Sequence, residues 1–266
     1  MRCFSLTQVQ VMTSNQSALA KLLCGNLVPD RGGIDEVLSH LSSSIDNVVI
    51  ELIRLESLTP NQISLFAPFL GRSILELGCT ALIARLDPFR VLLIREYQKQ
   101  PNYLDSLMDK PNKSSIRWQG DVFADKVTDI LADKSLQNPT RALLGDYYKT
   151  LIWSANFDEL QDAIRDVSGD EWIIDLRQKD FARFYNETLS DFSSLYSKLS
   201  KGIHHELVIP LSSAFDQETT RLLIQKTVRN IATLGLFVSV VSHTVNKLDI
   251  QEAIAAYKEI QEIGVL

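Results

Sequence analysis

Residues 60–85 read PNQISLFAPFLGRSILELGCTALIAR, and this stretch decides the fold class. Its apolar residues recur every three or four positions, which is the period of an α-helix. Thr59-Pro60 supplies a capping residue followed by a proline at the first helical position. The apolar positions form two faces: Ile63, Phe66, Ala67, Leu70, Ile74, Leu77 and Ala81 on the first, and Leu65, Phe69, Cys79 and Ile83 on the second. Because a helix that is apolar on two sides is usually buried, we expect this helix in the middle of a helical bundle.

The same period continues through most of the chain on both sides of this stretch. We predict helices near residues 6–24, 34–57, 60–85, 88–99, 120–133, 140–166, 172–200, 217–247 and 249–262. The alternating pattern of a β-strand is almost absent, since Leu207-Val208-Ile209 is too short to build a sheet. The sequence therefore predicts an all-α multi-helix bundle, with its longest loop over residues 100–120.

The domain organisation is open to two interpretations. In the first, residues 1–58 form an N-terminal helical extension that packs on a helical domain of residues 59–266. In the second, residues 1–266 form a single domain. No internal repeat and no distinct linker divides the chain, and 266 residues suffice for a sizeable core in either arrangement.

Composition and charge exclude several classes of protein. Apolar residues make up 45% of the chain and charged residues 23%, which rules out disordered and collagen-like classes. The net charge of −6 is concentrated after Trp118, because residues 1–118 carry +1 and residues 119–266 carry −7. An acidic C-terminal half argues against broad electrostatic binding of nucleic acid.

Cysteines and apolar runs point to the cytoplasm. The three cysteines, Cys3, Cys24 and Cys79, form no CxxC pair, and an odd number of cysteines is typical of free thiols in a reducing compartment. The N-terminus has no apolar run of signal-peptide length. The most apolar stretch, Ile231 to Val241, is much shorter than the ~20 residues that cross a bilayer. We therefore expect a cytoplasmic protein without a membrane span.

Arg72 and Glu76 interrupt the second apolar face of the 60–85 helix. They lie four residues apart, so that their side chains can meet. They are candidate binding residues, with Arg72 presenting its planar fork and Glu76 holding it, or else an internal pair that fixes how helices align. Arg85 and Arg90 follow within the same basic region and are also candidate binding residues, although scattered solvated arginines would look the same.

His204 and His205 follow a long amphipathic helix in the segment LSKGIHHE. A histidine there could serve as a general acid or base, since its ordinary pKa lies near neutrality. Alternatively, the segment is a helix end at which Gly202 permits the turn and a protonated histidine complements the helix dipole. We expect no metal, because no third His or Cys lies at ligand spacing. We expect no cofactor either, since GxGxxG, GxxxxGK[ST], GxSxG and HExxH are all absent.

Two short segments resemble HEPN-like helical proteins. They are the Arg72-x-x-x-Glu76 helix and the later Tyr196-x-x-Leu199-Ser200 segment that leads to His204. The resemblance implies a compact helical bundle, often dimeric, of the kind found in bacterial defence and toxin–antitoxin systems. It also implies that active members cut RNA without a metal, using an Arg followed by a His after four to six residues. This chain departs from that pattern, since the Arg preceding His204 most closely is Arg183.

Three functional hypotheses follow. The first is a non-catalytic helical interaction module, a homodimer or a subunit of a bacterial defence or toxin–antitoxin complex. It is supported by the absence of catalytic motifs, by the net negative charge, and by the small residues Gly235, Ser239 and Ser242 in a late helix. The second is a metal-independent HEPN-type ribonuclease with His204 or His205 as the acid or base and Arg72 assisting at the phosphate. The third is a ligand or nucleic-acid sensor that uses Arg72, Arg85 and Arg90.

Overall fold

The fold is all-α throughout the part of the chain that the computed structural model describes, residues 16–28, 33–99, 143–168, 170–202 and 215–262. We number the helices in chain order. They are α1 (Ala18–Cys24), α2 (Ile34–Arg54), α3 (Pro60–Leu86), α4 (Pro88–Gln98), α5 (Asp146–Tyr148), α6 (Phe157–Ile164), α7 (Glu171–Arg177), α8 (Phe181–Lys201), α9 (Gln217–Val238) and α10 (Ile250–Glu262). A 3₁₀ turn, Leu55–Ser57, follows α2, and a π-helical segment, Lys149–Ser154, continues α5.

The quoted stretch forms α3, the central helix. It begins at the predicted cap, where Thr59 and Gln62 form a capping box. It packs against α1, α2, α4, α8 and α9. Gly71 and Gly78 allow α8 and α9 to approach closely: a Cβ on Gly78 would lie 2.4 Å from Ile231 Cγ1, and one on Gly71 would lie 2.6 Å from Ile224 Cδ1.

The prediction that both faces of α3 are buried is right for only part of the helix. Cys79 and Ile83 are fully buried, as expected. In the N-terminal half, Leu65, Phe66 and Phe69 are 50%, 46% and 58% exposed. The physical reason is that the neighbouring helices cover most of the first face there but leave Phe66, together with Leu65 and Phe69 of the second face, uncovered. We call Leu65, Phe66 and Phe69 the α3 stripe.

The apolar character of α3 also bears on membranes. Among the helices of the described ranges, α3 alone is long and apolar enough to span a bilayer, by length and composition only. However, 56% of its most apolar window is buried against the rest of the fold, as in a core helix. The sequence pointed instead to Ile231–Val241 as the most apolar stretch, and this stretch is also buried, largely within α9.

The N-terminal helices contribute to the main core. α1 packs against α2, α3, α9 and α10, and its residues Leu22, Leu23 and Cys24 are completely buried. Gly235 of α9 faces α1, since a Cβ there would lie 3.0 Å from Leu22 Cγ. At Gly235, the small residue of the late helix therefore allows close packing of α1 and α9 within the chain.

Two predicted helices are shorter in the structure. The helix predicted over 172–200 breaks into α7 and α8, because the Asp180 side chain accepts a hydrogen bond from the Arg183 N–H and starts a new helix. The helix predicted over 217–247 ends at Val238. Beyond it, Asn246 adopts a positive φ of 51°, and the backbone there bonds to other elements: the Val245 N–H donates to the Arg85 carbonyl and the Asn26 N–H to the Asn246 carbonyl.

The segment predicted as one helix over 140–166 is also divided. It contains α5, which continues into the π-helical segment, and then α6. Ala155 and Asn156 separate the π-helical segment from α6. Trp153 from this region lies edge-on to Phe237 of α9, with ring centres 5.0 Å apart, and its indole N–H donates to the Leu143 carbonyl. Of the helix predicted over 6–24, the structure has α1 at Ala18–Cys24, and residues 6–15 lie outside the described residues. The predicted helix at 120–133, the 100–120 loop and Leu207–Ile209 lie outside them as well.

Candidate functional site

Arg72 of α3 is held by three side chains from two helices. Its Nε donates to Glu76 Oε1 at 2.9 Å, as the four-residue spacing predicts. Its Nη1 donates to Ser200 Oγ at 2.9 Å and its Nη2 to Tyr196 Oη at 2.7 Å. The guanidinium carbon also lies 4.5 Å from the centre of the Tyr196 ring. We call these four residues the Arg72 cluster.

The Arg72 cluster brings together the two sequence segments that carry the HEPN resemblance. Tyr196 and Ser200 lie on α8, and Arg72 and Glu76 lie on α3. Sequence reasoning singled out both segments but paired only Arg72 with Glu76. Tyr196 and Ser200 face the same side of α8 because they are four residues apart. The catalytic candidates His204 and His205 lie outside the described residues.

The geometry of the cluster limits what Arg72 can do. Each of its three nitrogens already donates to a partner within the chain, and its side chain is 24% exposed. These bonds use three of the five N–H groups of the guanidinium, and they fix its orientation between α3 and α8. The arrangement as it stands ties α3 to α8 and leaves Glu76, at 42% exposure, as the more accessible member of the pair.

Arg85 lies in the interior, where it cannot form part of a surface groove. Its side chain is fully buried and donates from Nη1 to the Leu22 carbonyl at 3.0 Å and from Nε to the Val245 carbonyl at 3.2 Å. Burial lowers the pKa of its guanidinium to about 10. Arg85 thus joins the C-terminal turn of α1, the turn after α9 and the end of α3.

Arg90 is also largely buried, at 6% exposure. Its backbone N–H donates to Asp87 Oδ1 at the start of α4. Of the three arginines in the sensor hypothesis, only Arg72 therefore has substantial contact with solvent. From the sequence, Arg85 and Arg90 were expected either to bind a ligand or to be exposed to solvent. Their burial was not predicted, because nothing in the local sequence distinguishes a buried arginine at the end of an apolar helix from an exposed one.

A cleft of about 590 Å³ lies between α7, α8, α9 and α10. Its lining contains six charged side chains from separate segments: Asp175, Lys179, Glu187, Asp191, Lys226 and Arg229. Its apolar lining consists of Trp172, Leu222, Val228 and Ile260. Sequence reasoning missed this cleft entirely, because each charge looks like an ordinary residue on the polar face of its own helix.

Ion pairs organise the inner part of this cleft. Lys179 Nζ lies 2.9 Å from both Asp175 Oδ2 and Glu187 Oε2, and its side chain is only 16% exposed. Arg229 also pairs with Asp175. Hydrogen bonds from Arg183 and Lys179 hold the pKa of the Glu187 carboxyl below its usual value.

The described residues contain no grouping of three or more His, Cys, Asp or Glu side chains placed to hold a metal ion. Cys24 and Cys79 are free and buried. Burial raises the pKa of the Cys24 thiol to about 12 and raises that of Cys79 even further. Both thiols are therefore protonated near neutral pH and are poor nucleophiles.

We compared the chain with protein families, curated proteins and solved structures. No protein-family model matches the chain, and neither a curated protein nor a solved structure is significantly similar to it.

Proposed function

We propose that this protein is a helical interaction module that acts through association with another protein chain, with the α3 stripe as its contact surface. The observation that carries the proposal is the exposure of three large apolar side chains, Leu65, Phe66 and Phe69, on consecutive turns of one helix. Single exposed apolar residues are ordinary, whereas clustered ones are typical of interaction sites.

The occupant we propose is a second copy of the chain. The stripe contains no charge, so two copies can meet about a two-fold axis without electrostatic repulsion. Covering three half-exposed side chains contributes about 1 kcal/mol each, given ~2 kcal/mol for a complete burial. A stable interface covers about 800 Å² per partner, so the stripe would be the centre of a larger contact, and we expect modest affinity.

The resemblance to HEPN-like proteins supports this proposal, since that group forms compact helical bundles that are often dimeric. A place in a bacterial defence or toxin–antitoxin complex, and a cytoplasmic location, rest on the resemblance and the composition. The internal bonds of Arg72 favour association over the ribonuclease alternative, because they hold the guanidinium between α3 and α8 and leave it fewer N–H groups for a phosphate.

Sedimentation velocity over a wide range of protein concentration tests the proposal. We expect a concentration-dependent dimer for the unmodified chain and a monomer for the Leu65→Gln/Phe69→Gln variant. The matched control is Leu151→Gln, because Leu151 is similarly exposed, at 52%, but lies on the π-helical segment. A chain that remains monomeric at every concentration, or a stripe variant that dimerises like the control, would overturn the proposal.

A further inference from the structure

The charged cleft between α7, α8, α9 and α10 has walls of opposite sign. Lys226 and Arg229 lie on α9, and Glu187 and Asp191 lie on α8. The acidic and basic side chains of the whole lining are equal in number, so the cleft favours neither a net anion nor a net cation. It favours a ligand that carries both charges, since each end of such a ligand meets a wall of opposite sign.

The inner and outer ion pairs of the cleft differ in how readily they open. Lys179 is mostly buried and held by two carboxylates, so displacing it would leave buried charges without partners. The outer pair joins Lys226 Nζ to Asp191 Oδ1 at 2.7 Å, with the side chains 51% and 29% exposed. An exposed pair of this kind contributes little to stability. It can therefore exchange its internal partner for a ligand at small cost.

The apolar residues of the cleft would receive the body of the ligand. Trp172 offers an aromatic surface, with the Arg229 guanidinium 5.7 Å from its ring centre. Leu222, also in the lining, is 59% exposed. The volume of about 590 Å³ lies within the range of small-molecule sites.

We propose that this cleft binds a small zwitterion with an apolar body, of which a free amino acid with a large apolar side chain is the simplest example. The ligand's carboxylate pairs with Lys226 and its ammonium group with Asp191, so that one internal ion pair is replaced by two. A multiply anionic ligand such as a nucleotide is disfavoured, because its additional charges would face Asp175 and Glu187. This site is separate from the α3 stripe and does not depend on the proposed association.

Titration with L-phenylalanine tests the proposal, with Trp fluorescence as the readout at an excitation wavelength that phenylalanine does not absorb. We expect a saturable change that the Trp172→Phe variant lacks. N-acetyl-L-phenylalanine and L-phenylalaninamide each retain one charge and should bind about tenfold more weakly or worse, as expected for the loss of one charge-assisted hydrogen bond. Absence of saturable binding, or equal binding of all three compounds, would overturn the proposal.

Two variants locate the binding within the cleft. Lys226→Gln and Asp191→Asn should each weaken L-phenylalanine binding by about tenfold, because each removes one of the two charges that face the ligand. Arg54→Gln is the matched control, since it removes a cation from an exposed ion pair on α2. Circular dichroism checks that each variant is folded. Binding that is unchanged in folded Lys226→Gln would contradict the assignment.

Discussion

At the scale of single residues, Arg85 shows how strongly one buried side chain can connect separate segments. It is a fully buried cation that donates to backbone carbonyls, those of Leu22 and Val245 among them. The Leu22 carbonyl belongs to the last turn of α1, where the helix dipole favours a positive charge. A long polar side chain thus takes the place of an apolar one in the core. Its hydrogen bonds offset part of the cost of burial, while its buried Nη2 has no hydrogen-bond partner among the described residues.

We expect Arg85→Ala to lower the free energy of unfolding by about 3 kcal/mol, because it opens a cavity and leaves buried carbonyls without donors. Urea denaturation measures the loss. Arg54→Ala serves as the comparison, since Arg54 is 66% exposed and should change stability by no more than about 0.5 kcal/mol. Equal stabilities for the two variants would show that Arg85 is not needed to join these segments.

Tyr185 gives the fold a pH dependence on the alkaline side. Its hydroxyl donates to the Leu144 carbonyl in the interior, and burial raises the pKa of the phenol to about 12 from 10.0. The folded state therefore holds this proton more tightly than the unfolded state. Its contribution to stability is complete below about pH 10 and is lost as the pH rises towards 12. Spectrophotometric titration should show Tyr185 ionising late. Tyr185→Phe should remove one late-ionising phenol and leave that of Tyr257, whose pKa burial also raises.

At the scale of the elements, the contact between α3 and α9 depends on glycine. Gly78 has no space for a side chain, because a Cβ would lie 2.4 Å from Ile231 Cγ1. We expect Gly78→Ala to destabilise the protein by about 1–3 kcal/mol through overpacking. Ile231→Ala should partly compensate, so that the double variant is less destabilised than the sum of the two single variants. Thermal denaturation of all four proteins measures this coupling, and simple additivity would contradict close contact.

At the scale of the whole molecule, the core extends from α1 to α10. Leu22 and Leu23 at one end of the chain and Tyr257 and Ile260 at the other belong to the same cluster of buried residues. Such a shared core predicts cooperative unfolding of all the described helices together. It also bears on the two interpretations of the domain organisation, which differ in whether residues 59–266 can fold alone.

We expect a fragment of residues 59–266 to fold poorly, because removing α1 and α2 uncovers apolar surface on α3, α9 and α10. Near-ultraviolet circular dichroism and binding of a hydrophobic dye would show loose packing in the fragment and a single unfolding transition in the full chain. A fragment that unfolds cooperatively with native-like packing would instead support an N-terminal extension of residues 1–58.

Much of the local structure could be predicted from the sequence. The starts of α2, α3, α4 and α9 fall where the apolar period and the capping residues place them. The divided helices were harder to predict, since the apolar period runs unchanged through Asp180 while a single capping hydrogen bond restarts the helix there. Of the candidate site, the Arg72–Glu76 bond follows from spacing along one helix, whereas Tyr196 and Ser200 join it only across the fold.

The sequence by itself determined that the chain is helical, because helix formation depends on the spacing of apolar residues and on caps within a few positions. Only the tertiary structure decided which polar residues became buried, which apolar ones stayed exposed and which charges met. Arg85 in the core, the α3 stripe and the charged cleft all depend on residues that are distant in sequence. The physical reason is that burial and electrostatic pairing are set by the neighbours that packing brings together, and the local sequence does not contain those neighbours.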